Sequence, residues 1–190
     1  MDLIDSVFEE HIAVMGKTRA QLASAIAEAA RLIVECYKKG RKVVLFGNGG
    51  SAADALHLEG EFLVRFKFDR SGLPAIALGG GISALTAASN DYSYEDALAH
   101  LVGAHVTEGD VILALSTSGR SPNVVRAARA AKDRGGIVIG LTGADGGEMT
   151  KSCTIVLKVP SLETPRIQEA HITIGHILCE IVEKEVFKKS

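Results

Sequence analysis

"LFGNGGSAADALHLEGE" (residues 45–61) runs from a short apolar stretch through a glycine-rich turn into a segment with helical character. Gly47, Gly49 and Ala52 satisfy G-x-G-x-x-[G/A], the turn that opens a dinucleotide site. Such a site also wants an acidic residue at the end of the second strand, to hold the ribose hydroxyls. The second candidate strand here ends in Gly79-Gly80-Gly81-Ile82-Ser83, without Asp or Glu, and Asp69 lies before that strand, on the wrong side. The turn therefore reads as a loop for a smaller phosphorylated ligand, followed by a helix carrying His57 and Glu61.

Working outward, "KVVLFG" (42–47) is one of five similar runs, with "PAIALG" (74–79), "DVILALS" (110–116), "IVIGLTG" (137–143) and "TIVLKVP" (154–160). Continuous apolar runs without alternation suit strands buried on both faces, as in a parallel sheet. Helical stretches separate them: 51–66, pieces of 82–105, 121–134, and a long one from Pro165 to Phe187. Strands alternating with helices predict an α/β fold, a doubly wound three-layer sandwich around a five-stranded parallel sheet. Ahead of it, Leu22, Ile26, Ala29, Ile33 and Tyr37 form one stripe of a helix from Thr18 to Lys39, with Gly40 to stop it. A shorter helical segment over residues 2–15 precedes that helix. Residues 1–40 are thus expected as a helical arm packed on the sheet or on another subunit, and 41–190 as the ligand-binding domain, in one structural unit.

Composition excludes more than it assigns. The chain has 190 residues, a net charge of −2 and no Lys/Arg cluster, which argues against a nucleic-acid surface. No apolar run is long enough to span a bilayer. The start, "MDLIDSVFEEHIAV", lacks the basic-then-apolar order of a secretory signal. Cys36, Cys153 and Cys179 are odd in number and widely spaced, as expected of buried thiols in a reducing cytoplasm.

In doubly wound folds, ligands bind outside the carboxyl ends of the strands. That places the turn after the first strand and "STSGRSPNVV" (116–125) after the third at one rim. Ser116, Thr117, Ser118 and Ser121 surround a glycine just before a helix with Pro122 in its first turn; Ser121 is expected as its N-cap. Four hydroxyls in six residues exceed what a cap needs, and a helix N-terminus adds N–H groups suited to a phosphate. On the helix after Gly50, Asp54, His57 and Glu61 fall at i, i+3 and i+7, one stripe on which His57 and Glu61 can reach a common ion. A bare H-x-x-x-E is more often a solvated face. The last helix changes that balance, because "RIQEAHITIGHILCE" (166–180) adds Gln168, His171 and His176 among apolar residues. An unpaired imidazole at His176, between Ile174, Ile177 and Leu178, is costly to bury, and a metal or carboxylate partner relieves the cost. His11, His100 and His105 lack such company and read as structural or exposed.

Together "GNGGSAADALHLEGEF", "SNDYSYE", "STSGRSPNV", "GLTGADGGEM" and "TPRIQEAHITIGHILCE" resemble the sugar isomerase (SIS) family, and within it the phosphoheptose isomerases, over almost the whole chain. The resemblance implies a cytoplasmic homotetramer, with active sites at subunit interfaces, that turns sedoheptulose 7-phosphate into D-glycero-D-manno-heptose 7-phosphate for nucleotide-activated heptose. It implies one zinc ion per subunit on His57, Glu61, Gln168 and His176. It places substrate contacts at Asn48, Gly49, Gly50 and Ser51, at Asn90 and Asp91, and at Ser116, Thr117, Ser118, Ser121 and Gln168. Gly81 and Pro165 depart from the family pattern, where relatives often carry Asp.

An enediol route between ketose and aldose needs a base, an acid and something positive to steady the oxygens as they gain charge. Glu61 and His176 are the expected proton carriers, with Asp54 as a nearby helper, and zinc suits the third role. One tension is geometric: Gln168 and His176 are eight residues apart, about 12 Å along a straight helix. Either the helix begins after Gln168 or the pair comes from different subunits. Two rivals remain open: an isomerase of another phosphosugar, and a non-catalytic relative that binds the bacterial replication initiator. The latter lacks the acidic and second histidine ligands, whereas Glu61 and His176 are both here.

Overall fold

The computed structural model describes residues 2–188. In chain order it contains α1 (Leu3–Lys38), β1 (Val43–Phe46), α2 (Gly50–Leu63), β2 (Ala75–Ala77), α3 (Ile82–Asp91), α4 (Tyr94–His105), β3 (Val111–Leu115), α5 (Pro122–Asp133), β4 (Ile137–Thr142), a 3₁₀ turn (Glu148–Ser152), β5 (Ile155–Lys158) and α6 (Thr164–Val186). All four strand pairings are parallel, in the order β2-β1-β3-β4-β5. The five apolar runs are the five strands.

Alternation along each strand splits the core in two. Val43 and Leu45 of β1, Val111, Leu113 and Leu115 of β3, and Ile139 and Leu141 of β4 face one layer, where they meet α1, α2 and α6. Their neighbours Val44, Phe46, Ile112, Ala114 and Val138 face the other layer, packed by α4 and α5. A strand with two buried faces has no room for polar residues, which is why the runs do not alternate. Phe46, Leu45, Ile112, Leu113, Leu115, Ile139 and Leu141 are all essentially solvent-free. Each contributes about 1.5–3 kcal/mol of transfer free energy.

The N-terminal segment corrects the sequence expectation: α1 is one helix of 36 residues, not two. Gly16 falls in the expected gap between residues 15 and 18, but a lone glycine costs a helix only about 1 kcal/mol relative to Ala and keeps its hydrogen-bond ladder. The half from Leu22 onward is built into the core. The earlier half is tied to α6 by His11 Nδ1 and Glu169 Oε2, 2.7 Å apart, and by Arg166 Nη1 donating to the Val7 carbonyl at 3.2 Å.

β1 lies between β2 and β3, so the chain order reverses beside it. That switch point opens a crevice at the carboxyl ends of β1 and β3, where the turn after Phe46 and the loop after Leu115 stand side by side. Phe46 is in register with Ala114, which brings Gly47–Gly50 against Ser116–Ser121.

Candidate active site

Two loops and two helices make the site. The β1–α2 turn is anchored by a reciprocal amide pair: Asn48 Nδ2 donates to Asn123 Oδ1 and Asn123 Nδ2 donates to Asn48 Oδ1, both at 2.8 Å. The Tyr94 hydroxyl adds a donor to Asn48 Oδ1 at 3.0 Å. These side chains come from the turn, α5 and α4, and they border a small cleft with Gly47, Gly49 and Gly79. Gly50 allows a close approach, because a Cβ there would lie 2.5 Å from the Nε2 of Gln168 on α6. Gln168 therefore stands at the glycine turn.

The β3–α5 loop is a tight hydroxyl-bearing turn. Ser116 Oγ accepts the Gly119 N–H at 3.1 Å and lies 3.4 Å from Ser121 Oγ. Gly119 has φ +62°, and a Cβ on it would sit 2.1 Å from the carbonyl oxygen of Gly146, so the loop presses directly on the β4–3₁₀ connection. Ser121 occupies the N-cap position of α5 but makes no side-chain cap hydrogen bond, contrary to expectation. Its oxygen instead accepts from the Ser116 hydroxyl at 3.4 Å, which leaves the Ser121 O–H as a donor for a ligand. Thr117 and Ser118 line a second cleft with Arg120, Gly143 and Ser161.

Across the α2–α6 contact, His57, Glu61 and His176 converge, their donor atoms all within 4.8 Å of one another. His57 Nε2 lies 2.8 Å from His176 Nε2 and 3.4 Å from Glu61 Oε1. The rings meet edge to face, centroids 5.1 Å apart at 72°. Partial burial, and then the neighbouring His57, push the His176 imidazole below its ordinary pKa, against the pull of Glu61. Two imidazoles and one carboxylate with a free position are the donor set of catalytic zinc centres. Around an ion whose ligands sit about 2.0–2.2 Å away, tetrahedral donors stand about 3.3–3.6 Å apart; the His57–Glu61 separation of 3.4 Å matches that, and the His57–His176 separation of 2.8 Å is shorter. The three residues fit a divalent ion.

Asp54 lies one turn before His57. Its Oδ2 is buried without a partner, and burial raises its pKa. The structure thus brings His57, Glu61 and His176 together with Asp54 one turn before His57 on α2, and sets Asn48, Gly49, Gly50 and Ser51 at the start of α2, about two turns before His57, with Gln168 of α6 against Gly50. Asn90 and Asp91 lie at the exposed end of α3, where Asn90 Nδ2 donates to Asp91 Oδ1 at 3.0 Å. Helix α6 is continuous from Thr164, which removes the possibility that it begins after Gln168. Within one chain Gln168 and His176 stay at separate points of one rod. The imidazole buried among apolar side chains is that of His171, at 0% exposure, rather than His176. Residues that sequence reasoning missed include Asn123, Tyr94, Phe66, Arg70 and Glu183. Tyr94 and Asn123 sit inside quoted motifs, so position beside a loop hydroxyl was the available signal.

Comparisons with known proteins agree with this fold. The SIS domain family model matches residues 7–143. A phosphoheptose isomerase from Aneurinibacillus thermoaerophilus is 50% identical over 168 residues, spanning 88% of this chain and 85% of its own. One from Geobacter sp. strain M21 is 45% identical over 189 residues, covering 100% of this chain and 98% of its own. Among solved structures, a phosphoheptose isomerase from Francisella tularensis superposes with a TM-score of 0.93 at 39% identity, covering 96% of this chain and 97% of that one. Another, from Neisseria gonorrhoeae, gives 0.89 at 37%, over 95% and 97%. On the family model, the identity along most of its length and the shared fold, the chain belongs to the phosphoheptose isomerases of the SIS-domain family, and it is an isomerase.

Proposed function

We propose that the protein interconverts sedoheptulose 7-phosphate and D-glycero-D-manno-heptose 7-phosphate by proton transfer through an enediol, feeding nucleotide-activated heptose synthesis. The observation that carries this reading is the convergence of His57, Glu61 and His176 from two helices, in a chain whose strand ends also carry a hydroxyl-lined crevice. Relatives named for phosphoheptose support the substrate class.

One end of the sugar is fixed by its phosphate. Thr117, Ser118 and Ser121 offer hydroxyl donors beside the N-terminus of α5, where unpaired N–H groups and the helix dipole favour an anion. At the other end Glu61 and His176 share the proton work. One takes the proton from the carbon beside the carbonyl as that carbonyl oxygen becomes an enediol hydroxyl. The other delivers a proton to the former carbonyl carbon while the neighbouring hydroxyl gives up its own. Partial burial and the neighbouring His57 disfavour the charged form of the His176 imidazole. Asp54, whose charged form burial disfavours, is the nearby helper on the same helix. A zinc ion on His57, Glu61 and His176 supplies Lewis-acid stabilisation of the developing oxyanion charge.

We infer that the fourth donor, Gln168, comes from a second copy, since one straight helix holds it about 12 Å from His176. A homotetramer with sites at subunit interfaces fits the exposed apolar residues Leu3, Ile4, Phe8 and Ile12 along α1, and the apolar groove where Met15 and Ile26 meet Ile174, Ile177 and Ile181 of α6. No helix among the described residues is long and apolar enough to cross a membrane. Three unpaired cysteines accord with a cytoplasmic setting.

Turnover of sedoheptulose 7-phosphate, followed by a coupled assay, is expected to fall at least about ten-fold after chelation and to return with added zinc, in line with the loss of a Lewis acid. Chelator-resistant turnover would remove the ion from the reaction, and absence of turnover with zinc restored would remove the substrate assignment. The phosphate cradle has its own test. A hydrogen bond to a charged group contributes about 1.5–3 kcal/mol. Ser118→Ala with Ser121→Ala should therefore raise KM by about ten-fold or more per hydroxyl with kcat little changed. An unaltered KM places the phosphate elsewhere.

A further inference from the structure

Arg70 and Glu183 form an ion pair withdrawn from water, with side chains 2% and 1% exposed and Nε–H donating to Oε1 at 2.9 Å. Burying two charges is unfavourable unless further hydrogen bonds satisfy both groups. Here they do. Glu183 Oε1 also accepts the Phe66 N–H at 2.8 Å, and Oε2 accepts the Lys67 N–H at 2.7 Å. Burial alone would raise the Glu183 carboxyl, but these donors and the guanidinium hold it below the usual carboxylate range, so it stays charged. Arg70 spends its other nitrogens on the end of α2: Nη2 donates to the Glu61 carbonyl at 2.8 Å, and Nη1 to the Phe62 carbonyl at 2.8 Å. Carbonyls in the last turn of a helix have no partner within it, so one guanidinium closes the end of α2.

Both halves of this pair reach the residues of the α2–α6 cluster. Arg70 holds the backbone of Glu61 itself. Glu183 holds the backbone of Phe66, whose ring lies 5.5 Å from that of His176 at 31°. His176 and Glu183 are seven residues apart on α6, two turns along one face. The pair thus spans the two helices whose approach makes the cluster. Well-packed apolar residues usually stabilise such a position as well or better. A reason for charge is the fixed direction of its hydrogen bonds.

We propose that the Arg70–Glu183 pair is a positioning element for the reaction: it sets the register of α2 against α6 and, through Phe66, the plane of the His176 ring. The inference rests on Glu61 and His176 as the reacting pair. Neither Arg70 nor Glu183 has to touch substrate; each acts through a neighbour.

The full-length protein tests it with two variants. Glu183→Gln keeps the shape and removes the charge; Phe66→Leu keeps the ion pair and removes the ring. Supporting residues behind a metal site typically matter by about 10–100-fold in affinity or activity. The expected result for Glu183→Gln is therefore a kcat lower by at least about ten-fold with KM within about two-fold, and zinc affinity in chelator competition weaker by a similar factor. The absorption of the cobalt-loaded protein should change in both variants, because the His176 ring is turned. If both variants fold and keep the parent's kcat, zinc affinity and cobalt spectrum, and lose only thermal stability, the pair is a structural tie and the proposal fails. Should Glu183→Gln not fold, Phe66→Leu decides alone by the same measurements. A parent protein that takes up neither zinc nor cobalt would sink the metal centre, while a fall in kcat at constant KM would still support the positioning role.

Discussion

Glu61→Gln is expected to reduce kcat by about 10²–10⁴-fold, the range that a positioned general acid or base contributes. Each factor of ten is about 1.4 kcal/mol of barrier, so the loss corresponds to about 3–5 kcal/mol. The substitution is close to isosteric and leaves the clamp at the end of α2 intact, because Arg70 bonds to the backbone oxygen of Glu61 rather than to its side chain. Folding and assembly should therefore match the parent by circular dichroism and light scattering. A carboxamide cannot accept the proton, and it is also a poorer ligand than a carboxylate. Zinc content has to be measured on the same sample and restored if low, so that lost chemistry is not confused with lost metal. His176→Gln is expected to behave alike. Turnover within a factor of about ten of the parent, at full zinc occupancy, would remove Glu61 from the proton transfer.

Much of the fold was legible because the sheet is buried on both faces. "DVILALS" admits no polar residue between Val111 and Leu115, and the strand has those bounds. The same rule fails where structure depends on one residue's tolerance. A break was expected between residues 15 and 18, yet α1 runs through it, with its N-terminal half held by the His11–Glu169 and Arg166–Val7 contacts and its C-terminal half by the core. At the site, His57 and Glu61 were readable from their i, i+4 spacing, and His176 from its helix. Ser121 was readable as a cap position but not as a hydroxyl paired with Ser116 instead of capping the helix, since a rotamer is not written in spacing.

The two histidines of α6 show most clearly what linear reading loses. His176 has apolar neighbours in sequence, Ile174, Ile177 and Leu178, which suggested burial. At about 100° per residue, adjacent residues on a helix face different ways, and burial follows residues three, four and seven apart. His171 shares a face with Ile167, Ile174 and Leu178, all in the core, whereas His176 shares one with the half-buried Thr173 and Glu180. The first imidazole is enclosed and the second opens onto the α2 contact. Side-chain direction, not composition, separates a core histidine from a candidate ligand.

That enclosure has a measurable consequence for stability. Among the described residues neither ring nitrogen of His171 has a well-formed hydrogen bond, and burial lowers its pKa to about 4, an effect that a weak interaction with the Thr142 backbone offsets only in part. In the unfolded chain a histidine titrates near its ordinary value of about 6.5. Between those values the unfolded state binds a proton that the folded state refuses, so stability is greatest above about pH 6.5 and falls as the pH drops towards 4. A difference of about 2.5 pKa units amounts to about 3 kcal/mol, a large share of a marginal folding free energy. His171→Leu abolishes this titration and removes two unsatisfied polar atoms. Its urea midpoint should match or exceed the parent's at pH 7 and fall less steeply between pH 6.5 and 4.5. Other groups titrate in the same window, and the difference between the two curves cancels their contribution. Parallel curves for the two proteins across that window would mean that the His171 imidazole is hydrated or paired in solution, and that the core around α6 is more open than its packing implies.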